Sequence, residues 1–353
     1  MNFLKKLNEI DPYSLNEKDK QKLFSSSLIK LNQHHYKNCN EYKKIIKFLN
    51  YNIKNSQIEK MPYMPVTLFK KFNLSSIPKN KIIKTLVSSG TSGNEVSKIF
   101  LDKENASNQT KILSKLFSKI TNNKRLPMLV VDSKNILKDR NLFSARGAAI
   151  LGFSMFGKDI TYALNDDLKL NIKTLNYFLK KYKDQKILIF GFTYLLWEYF
   201  LKEINKKEQN INLTNAIIVH GGGWKKLSDK SISNHQFKNY FKKYGAEQVI
   251  NYYGMVEQTG SIFFECNKGY LHTSIYSDVI IRNNDLSVSK LKQEGIVQLI
   301  SLLPTSYPGH IILTHDKGKL IGVDNCQCGK LGKYFLISGR LKASELRGCS
   351  DTH

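Results

Sequence analysis

Between Leu15 and Tyr51 apolar residues recur three and four positions apart (Leu23, Leu28, Leu31; then Tyr42, Ile45, Ile46, Leu49), with Lys, Asn and Glu between them. That spacing predicts amphipathic helix. The helical pattern breaks at Met61-Pro62-Tyr63-Met64-Pro65, because proline neither donates a backbone hydrogen bond nor lets its predecessor stay helical. Short apolar runs then alternate with helix-length connectors. The runs predict strands over 82–87, 128–131, 187–190, 216–219 and 248–252, with helices over 103–120, through Tyr194 to Ile204, and up to Tyr244. Short buried runs joined by helices are the mark of a largely parallel sheet covered on both faces. After Gly260 the links shorten (Asn283-Asn284-Asp285, Pro308-Gly309) between strands over 279–281, 295–303 and 310–314, which predicts an antiparallel β subdomain. The expected division is a helical segment 1–60, an α/β core 61–260, a β subdomain 261–338, and a hinge and tail 339–353.

The chain has 353 residues, and a prior of roughly 150 residues per domain suggests two domains. No stretch approaches the roughly 18–20 unbroken apolar residues of a membrane span. The first residues run into Asn8, Glu9 and Asp11 without an apolar core, unlike a signal peptide. Five cysteines do not make a disulfide scaffold and suit a reducing compartment. A cytoplasmic protein is expected. Lys+Arg 55 against Asp+Glu 29 gives a net charge of +26, an excess that attracts nucleic acid and acidic partners. The lysines, however, are spread along the whole chain among Asn and Ile, without an Arg-rich block or an aromatic RNA-binding strand. Basic nucleic-acid binding is therefore the non-enzyme rival, and no nucleic-acid partner is expected.

Candidate chemistry sits at the ends of the expected strands, where α/β proteins place ligands. Ser88-Ser89-Gly90-Thr91-Ser92-Gly93, with Lys98 beyond it, offers backbone N–H groups, hydroxyls and a cation for phosphate oxygens. It is not a Walker A loop, since no Lys-Ser/Thr pair follows the second glycine, and an ordinary polar turn has the same composition. His220-Gly221-Gly222-Gly223 permits a flat ligand to lie against backbone, or is simply a turn. Asn251-Tyr252-Tyr253-Gly254 could stack on a base, and Glu257 three residues on could hold a divalent metal on phosphates; a carboxylate in a first helical turn is the plain alternative. Cys266 and His272, with Cys326 and Cys328 starting 54 residues later, suit tetrahedral Zn²⁺ or are ordinary buried residues. His34 and His35, on a polar helical stretch, are expected to be solvated. Trp197 and Tyr199 pack or line an acyl pocket, and Ser154 lacks the Gly-x-Ser-x-Gly setting of a hydrolase.

The order of these pieces carries more than any one of them. The Ser88–Gly93 loop, the glycine turn at His220–Gly223, Tyr252-Tyr-Gly-x-x-Glu257, Thr314-His-Asp-Lys-Gly318 and Ser338-Gly-Arg340 together resemble the adenylate-forming ligases. Val256 stands where that superfamily has threonine, and His315 where it has glycine. The resemblance implies an adenylate-forming ligase N-terminal domain: α/β with mostly parallel covered sheets plus an antiparallel β subdomain, and no mobile C-terminal lid. It implies ATP and Mg²⁺, with phosphates on Ser88–Gly93 and Lys98. Adenine would lie on His220–Gly223 and Asn251–Gly254, Mg²⁺ on Glu257, the ribose on Asp316, and Gly339-Arg340 would be the hinge. Cys349 near the end of the chain, with Pro65-Val-x-x-Phe69-Lys70 upstream of the loop, is similar to the acyl-protein synthetase family of bacterial bioluminescence and its phenylacetate-CoA ligase relatives. That family implies a thioester on Cys349, delivered to an acyl reductase or acyltransferase partner, with a fatty acid as the expected substrate. The relatives also carry similar Cys/His pairs. On the residues alone, Cys349 suits the role because a thiolate attacks mixed anhydrides well and Arg347 favours that form. Nine residues from Arg340 let it reach at most ~30 Å. The enzyme rival is a CoA- or carrier-directed ligase in which Cys349 is incidental.

Overall fold

The computed structural model describes residues 4, 7, 9–88, 96–137, 145–224 and 231–341. In chain order its main elements are helices α1 (Glu17–Asn38) and α2 (Asn40–Phe48), hairpin strands β1 (Lys84–Val87) and β2 (Lys98–Leu101), and α3 (Lys103–Ser118). There follow β3 (Leu126–Val131), α4 (Ala145–Ser154), β4 (Gly157–Tyr162), α5 (Ile172–Lys181), β5 (Ile187–Phe192), β6 (Ala216–Gly221), α6 (Asn234–Lys242) and β7 (Gln248–Tyr253). A 3-10 turn (Val256–Gln258) leads to β8 (Ser277–Arg282), β9 (Glu294–Ser301), β10 (Ile311–Val323) and β11 (Lys333–Arg340). The described residues fold into two compact units, one built from those in 4–115 with 254–341 and the other from those in 116–253. The helical segment at the start of the sequence thus shares a unit with the β strands near its end.

In the second unit β3 to β7 lie parallel in the order β4-β3-β5-β6-β7. Every residue of β3, β5 and β6 is buried, as expected for strands covered on both faces. β4, at the edge, exposes Lys158, Asp159 and Ile160. The expected helix after β5 is present, but passes through a π-helical turn at Leu196–Leu201. One core layer gathers Leu129, Ile189 and Ile218 of the strands with Phe178, Phe200 and Phe237 of the helices.

In the first unit β8 to β11 form an antiparallel meander, and the two-residue strand Leu271–His272 pairs with β11. β10 continues well past the expected 310–314, so Thr314–Gly318 lies inside a strand and not in a loop after one. β11, not foreseen, supplies the partner that keeps this polar stretch extended. Helix α1 is started by Asn16, whose side chain accepts from Asp19 N–H. The helix is fixed to the sheet by a buried charge group. Lys20 Nζ lies 3.3 Å from Asp278 Oδ1, and Lys333 Nζ 2.9 Å from Asp278 Oδ2 and 3.1 Å from Glu17 Oε1. Such a pairing gives register more than net stability.

His35 corrects the expectation of a solvated pair. It is fully buried, because α1 turns that face onto the loops around residues 76 and 304. Its Nε2–H donates to Pro304 O at 3.1 Å, which leaves Nδ1 to accept from the Ser76 hydroxyl at 2.7 Å. The ring stacks on buried His310, centroids 4.7 Å apart. Burial pushes the pKa of His310 down to about 3 and that of His35 well below the usual imidazole value. Both are neutral when folded and take up a proton near pH 6.5 when unfolded. Stability is therefore complete above that pH and falls below it, by as much as about 2.7 kcal/mol per pH unit for the two together. Melting at pH 5.5 should come well below melting at pH 7, and His310→Gln should shrink the difference.

Candidate active site and metal centre

The residues singled out by sequence divide between the two units. In the first unit, the antiparallel strands β1 and β2 flank the hydroxyl- and glycine-rich stretch in sequence. Its base is closed by Ser88, whose N–H donates to Ser97 O at 3.0 Å and whose Oγ accepts from Ser97 N–H at 2.9 Å. Ser89, Gly90, Thr91, Ser92 and Gly93 lie outside the described residues, as does Cys349. Lys98 opens β2 with its side chain exposed.

Glu257 sits in the 3-10 turn, not in the first turn of a longer helix, and is buried to 5% exposure. The turn is held by the neighbouring Gln258, whose Nε2 donates to Leu299 O at 3.2 Å and Gly309 O at 2.9 Å. Burial raises the Glu257 pKa above the usual carboxylate value, while the Ser97 hydroxyl and the charges of Lys70 and Arg340 pull it down. A buried carboxylate in this setting fits a cation, which would offset the burial cost. Asp316 stands opposite Arg340 in the β10–β11 register, and Arg340 Nε donates to its Oδ1 at 2.8 Å. The carboxylate expected on the ribose and the expected hinge arginine are thus ion-paired. Sequence adjacency gave no sign of that pairing.

In the second unit the glycine turn follows β6. Gly222 has φ +83°, and a Cβ there would meet Phe192 Cδ1 at 2.4 Å, so only glycine fits. Gly223 has open space around it. His220 is buried against the Phe237 ring, centroids 4.4 Å apart. Thr193 Oγ1 donates to Gly221 O, so it accepts from His220 Nδ1–H, both at 3.0 Å. The imidazole is then neutral, with its pKa pushed down to about 3 by burial, then by Lys238, and its buried Nε2 has no partner. Tyr252 turns inward and stacks on Phe190 at 6.2 Å, whereas Asn251 and Tyr253 are half-buried.

One buried group in this unit escaped the sequence reading. Asp132, just past β3, lies 3.1 Å from Arg146 Nε, and Arg146 Nη1 donates to Tyr194 OH at 3.0 Å. Burial, partly countered by Arg146, pushes Asp132 up to about 6. The available signal was a carboxylate directly after an unbroken apolar strand.

The four candidate metal ligands converge in the first unit. The Cys266, Cys326 and Cys328 sulfurs and a His272 ring nitrogen all lie within 4.8 Å of one another. Cys266 closes a turn by donating N–H to Tyr270 O at 2.9 Å, and Gly329 N–H to Cys326 O at 3.0 Å forms the second turn, with φ +81° at Gly329. His272 Nε2 is 3.3 Å from Cys328 Sγ, and its Nδ1 is buried without a partner. Burial, then Lys330 and Lys20, push its pKa down to about 4, which leaves a neutral ring able to ligate. Three soft sulfurs and one imidazole, whose Nδ1 has no protein partner, fit a tetrahedral Zn²⁺.

A sequence search of curated proteins finds no match. Among solved structures, the fold is similar to that of an open conformation of 2-hydroxyisobutyryl-CoA ligase in complex with 2-HIB-AMP and CoA. The TM-score is 0.71 at 12% identity, covering 94% of this chain and 77% of that one. The postadenylation state of the same ligase with 2-HIB-AMP gives 0.69 at 13% identity, covering 93% and 69%. The amide bond synthetase McbA from Marinactinospora thermotolerans gives 0.50 at 12%, covering 84% and 55%. These likenesses establish the adenylate-forming ligase fold expected from the motif order. The sequence profile of the family described as "Acyl-protein synthetase, LuxE" matches residues 5–353, and the chain belongs to that family.

Proposed function

We propose that this chain activates a carboxylic acid, most suitably a fatty acid, with ATP and then carries the acyl group as a thioester on Cys349. The observation that supports this best is the family match over residues 5–353, which spans the adenylate-forming motifs and Cys349 alike. A carboxylate oxygen attacks the α-phosphorus of ATP, the bond to the bridging oxygen breaks, and pyrophosphate leaves. The Cys349 thiolate, its proton lost to solvent, attacks the acyl carbon of the adenylate and AMP leaves. The thioester passes to a reductase or acyltransferase partner.

Roles follow the family's motifs. Ser88–Gly93 and Lys98 hold phosphates, His220–Gly223 and Asn251–Gly254 the adenine, and Asp316 the ribose, with Arg340 at the hinge. In the second unit, the buried His220 ring favours a contact through the glycine backbone over one through the imidazole. Glu257 holds Mg²⁺, which neutralises phosphate charge when bound. Use of ATP and a reduced thiol suits the cytoplasm. Among the described residues, no helix is long and apolar enough to cross a membrane. The test is intact-protein mass spectrometry after incubation with ATP and a panel of carboxylic acids. Acyl transfer to CoA without a protein adduct would favour a CoA ligase; salt-sensitive DNA binding with no acid turned over would favour the nucleic-acid reading.

Zn²⁺ at Cys266, His272, Cys326 and Cys328 belongs to the same proposal as a staple of the β sheet, since four protein ligands leave no open position for chemistry. Elemental analysis should find about one zinc per chain. Cys328→Ser should lower the melting temperature by roughly 5 °C or more while acid-dependent pyrophosphate exchange at low temperature persists.

A further inference from the structure

We infer that Thr193 is a positioning residue for the nucleotide base: its hydroxyl holds the peptide between Gly221 and Gly222 in the orientation that the base reads. This rests on the adenine reading of the glycine turn. Thr193 follows directly on β5 and is buried. Phe192, the last residue of β5, lies opposite Gly221, the last of β6, in the parallel register. The Thr193 side chain therefore stands where the turn begins. Its Oγ1 is 3.0 Å from Gly221 O and 3.0 Å from His220 Nδ1. A carbonyl only accepts, so the hydroxyl proton goes to Gly221 O and a lone pair is left for His220 Nδ1–H. The buried imidazole thus fixes the rotor of the hydroxyl that holds the turn.

The turn has little power to fix itself. Gly222 and Gly223 have φ +83° and +66°, and glycine takes either sign of φ about as readily. A peptide with glycine on both sides flips at little steric cost. The Phe192 ring lies against Gly222, and Tyr252 Cε1 is 2.8 Å from where a Gly221 Cβ would stand. Those ring carbons limit the space but give the peptide no preferred direction. The Thr193 hydroxyl does. In a trans peptide the C=O and N–H point opposite ways, so tying Gly221 O to Thr193 turns Gly222 N–H away from it. A flip would put an acceptor where that donor stands. A base is recognised by its pattern of donors and acceptors, so it senses the exchange.

Thr193→Val keeps the branched side chain and removes the hydroxyl. Calorimetry should show ATP bound roughly ten-fold more weakly, the scale of leaving a buried carbonyl without its donor. In acid-dependent exchange the KM for ATP should rise by the same factor, while the KM for pyrophosphate, which has no base, stays at the wild-type value. Thr193→Ser restores the hydroxyl and should regain most of the lost affinity. In wild type, histidine-selective ¹⁵N spectra, with the His220 signal assigned by its loss in His220→Gln, should place the ring proton on Nδ1. Wild-type ATP affinity in Thr193→Val, an equal rise in both KM values, no recovery in Thr193→Ser, or the proton on Nε2 overturns the inference and leaves the nucleotide site standing. A wild-type protein that binds no ATP overturns both.

Discussion

Cys349→Ser is expected to abolish the covalent acyl adduct while carboxylate-dependent ATP–pyrophosphate exchange continues. The two steps separate because the mixed anhydride forms before any thiol acts. The wild-type adduct should be released by neutral hydroxylamine, which cleaves thioesters readily and oxygen esters slowly, and should map to the peptide containing residue 349. The other thiols are poor rivals. Cys39 is buried, and burial pushes its pKa up; Cys266, Cys326 and Cys328 face one another in the metal-ligand cluster. An adduct that persists in Cys349→Ser, or a wild type that forms none while acylating CoA, would remove the self-acylation step and leave adenylation standing.

Glu257→Ala should lower pyrophosphate exchange by about two orders of magnitude, the scale expected when a metal that positions phosphates loses its ligand. Alanine also empties a buried site, so Glu257→Gln is the sharper probe. Its sign for stability is opposite to its sign for activity. The folded pKa of Glu257 is raised by burial, so its contribution is complete at low pH and is lost as pH rises through that value; at pH 7, above the unfolded value, burying this carboxyl costs stability. Glu257→Gln should therefore melt no lower than wild type at pH 7 in the absence of nucleotide, yet exchange slowly and need more Mg²⁺. A glutamine variant with wild-type exchange would take the metal role away from this residue.

Much of the fold was legible along the chain. The runs Met128–Val131, Ile187–Phe190 and Ala216–Val219 are apolar at every position, and strands hidden on both faces leave that pattern because neither face can tolerate a polar group. The motif order from Ser88 to Arg340 pointed to the ligase fold that the solved structures share. Less legible were the stretches whose conformation depends on a distant neighbour. Thr314–Gly318 is polar and glycine-bearing, yet is extended because β11 pairs with its Asp316, Lys317 and Gly318. Equally, 4–115 and 254–341 fold together although the parallel sheet intervenes in sequence, since α1 finds its charge partners at Asp278 and Lys333.

For the candidate site, sequence alone determined the types and order of the chemical groups: the hydroxyl loop, Glu257, Asp316, Cys349 and two Cys/His pairs. Tertiary structure decided which of them meet and in what charge state. It brought Cys266 and His272 to Cys326 and Cys328, paired Asp316 with Arg340, buried His35 on His310, and joined Asp132 to Arg146. The physical reason is one of range. Apolar periodicity reports how a segment's own faces divide between core and water, a local property. Whether a polar side chain can be buried depends on partners supplied by other segments, and its pKa on how completely those segments exclude water. Neither is written at the residue itself.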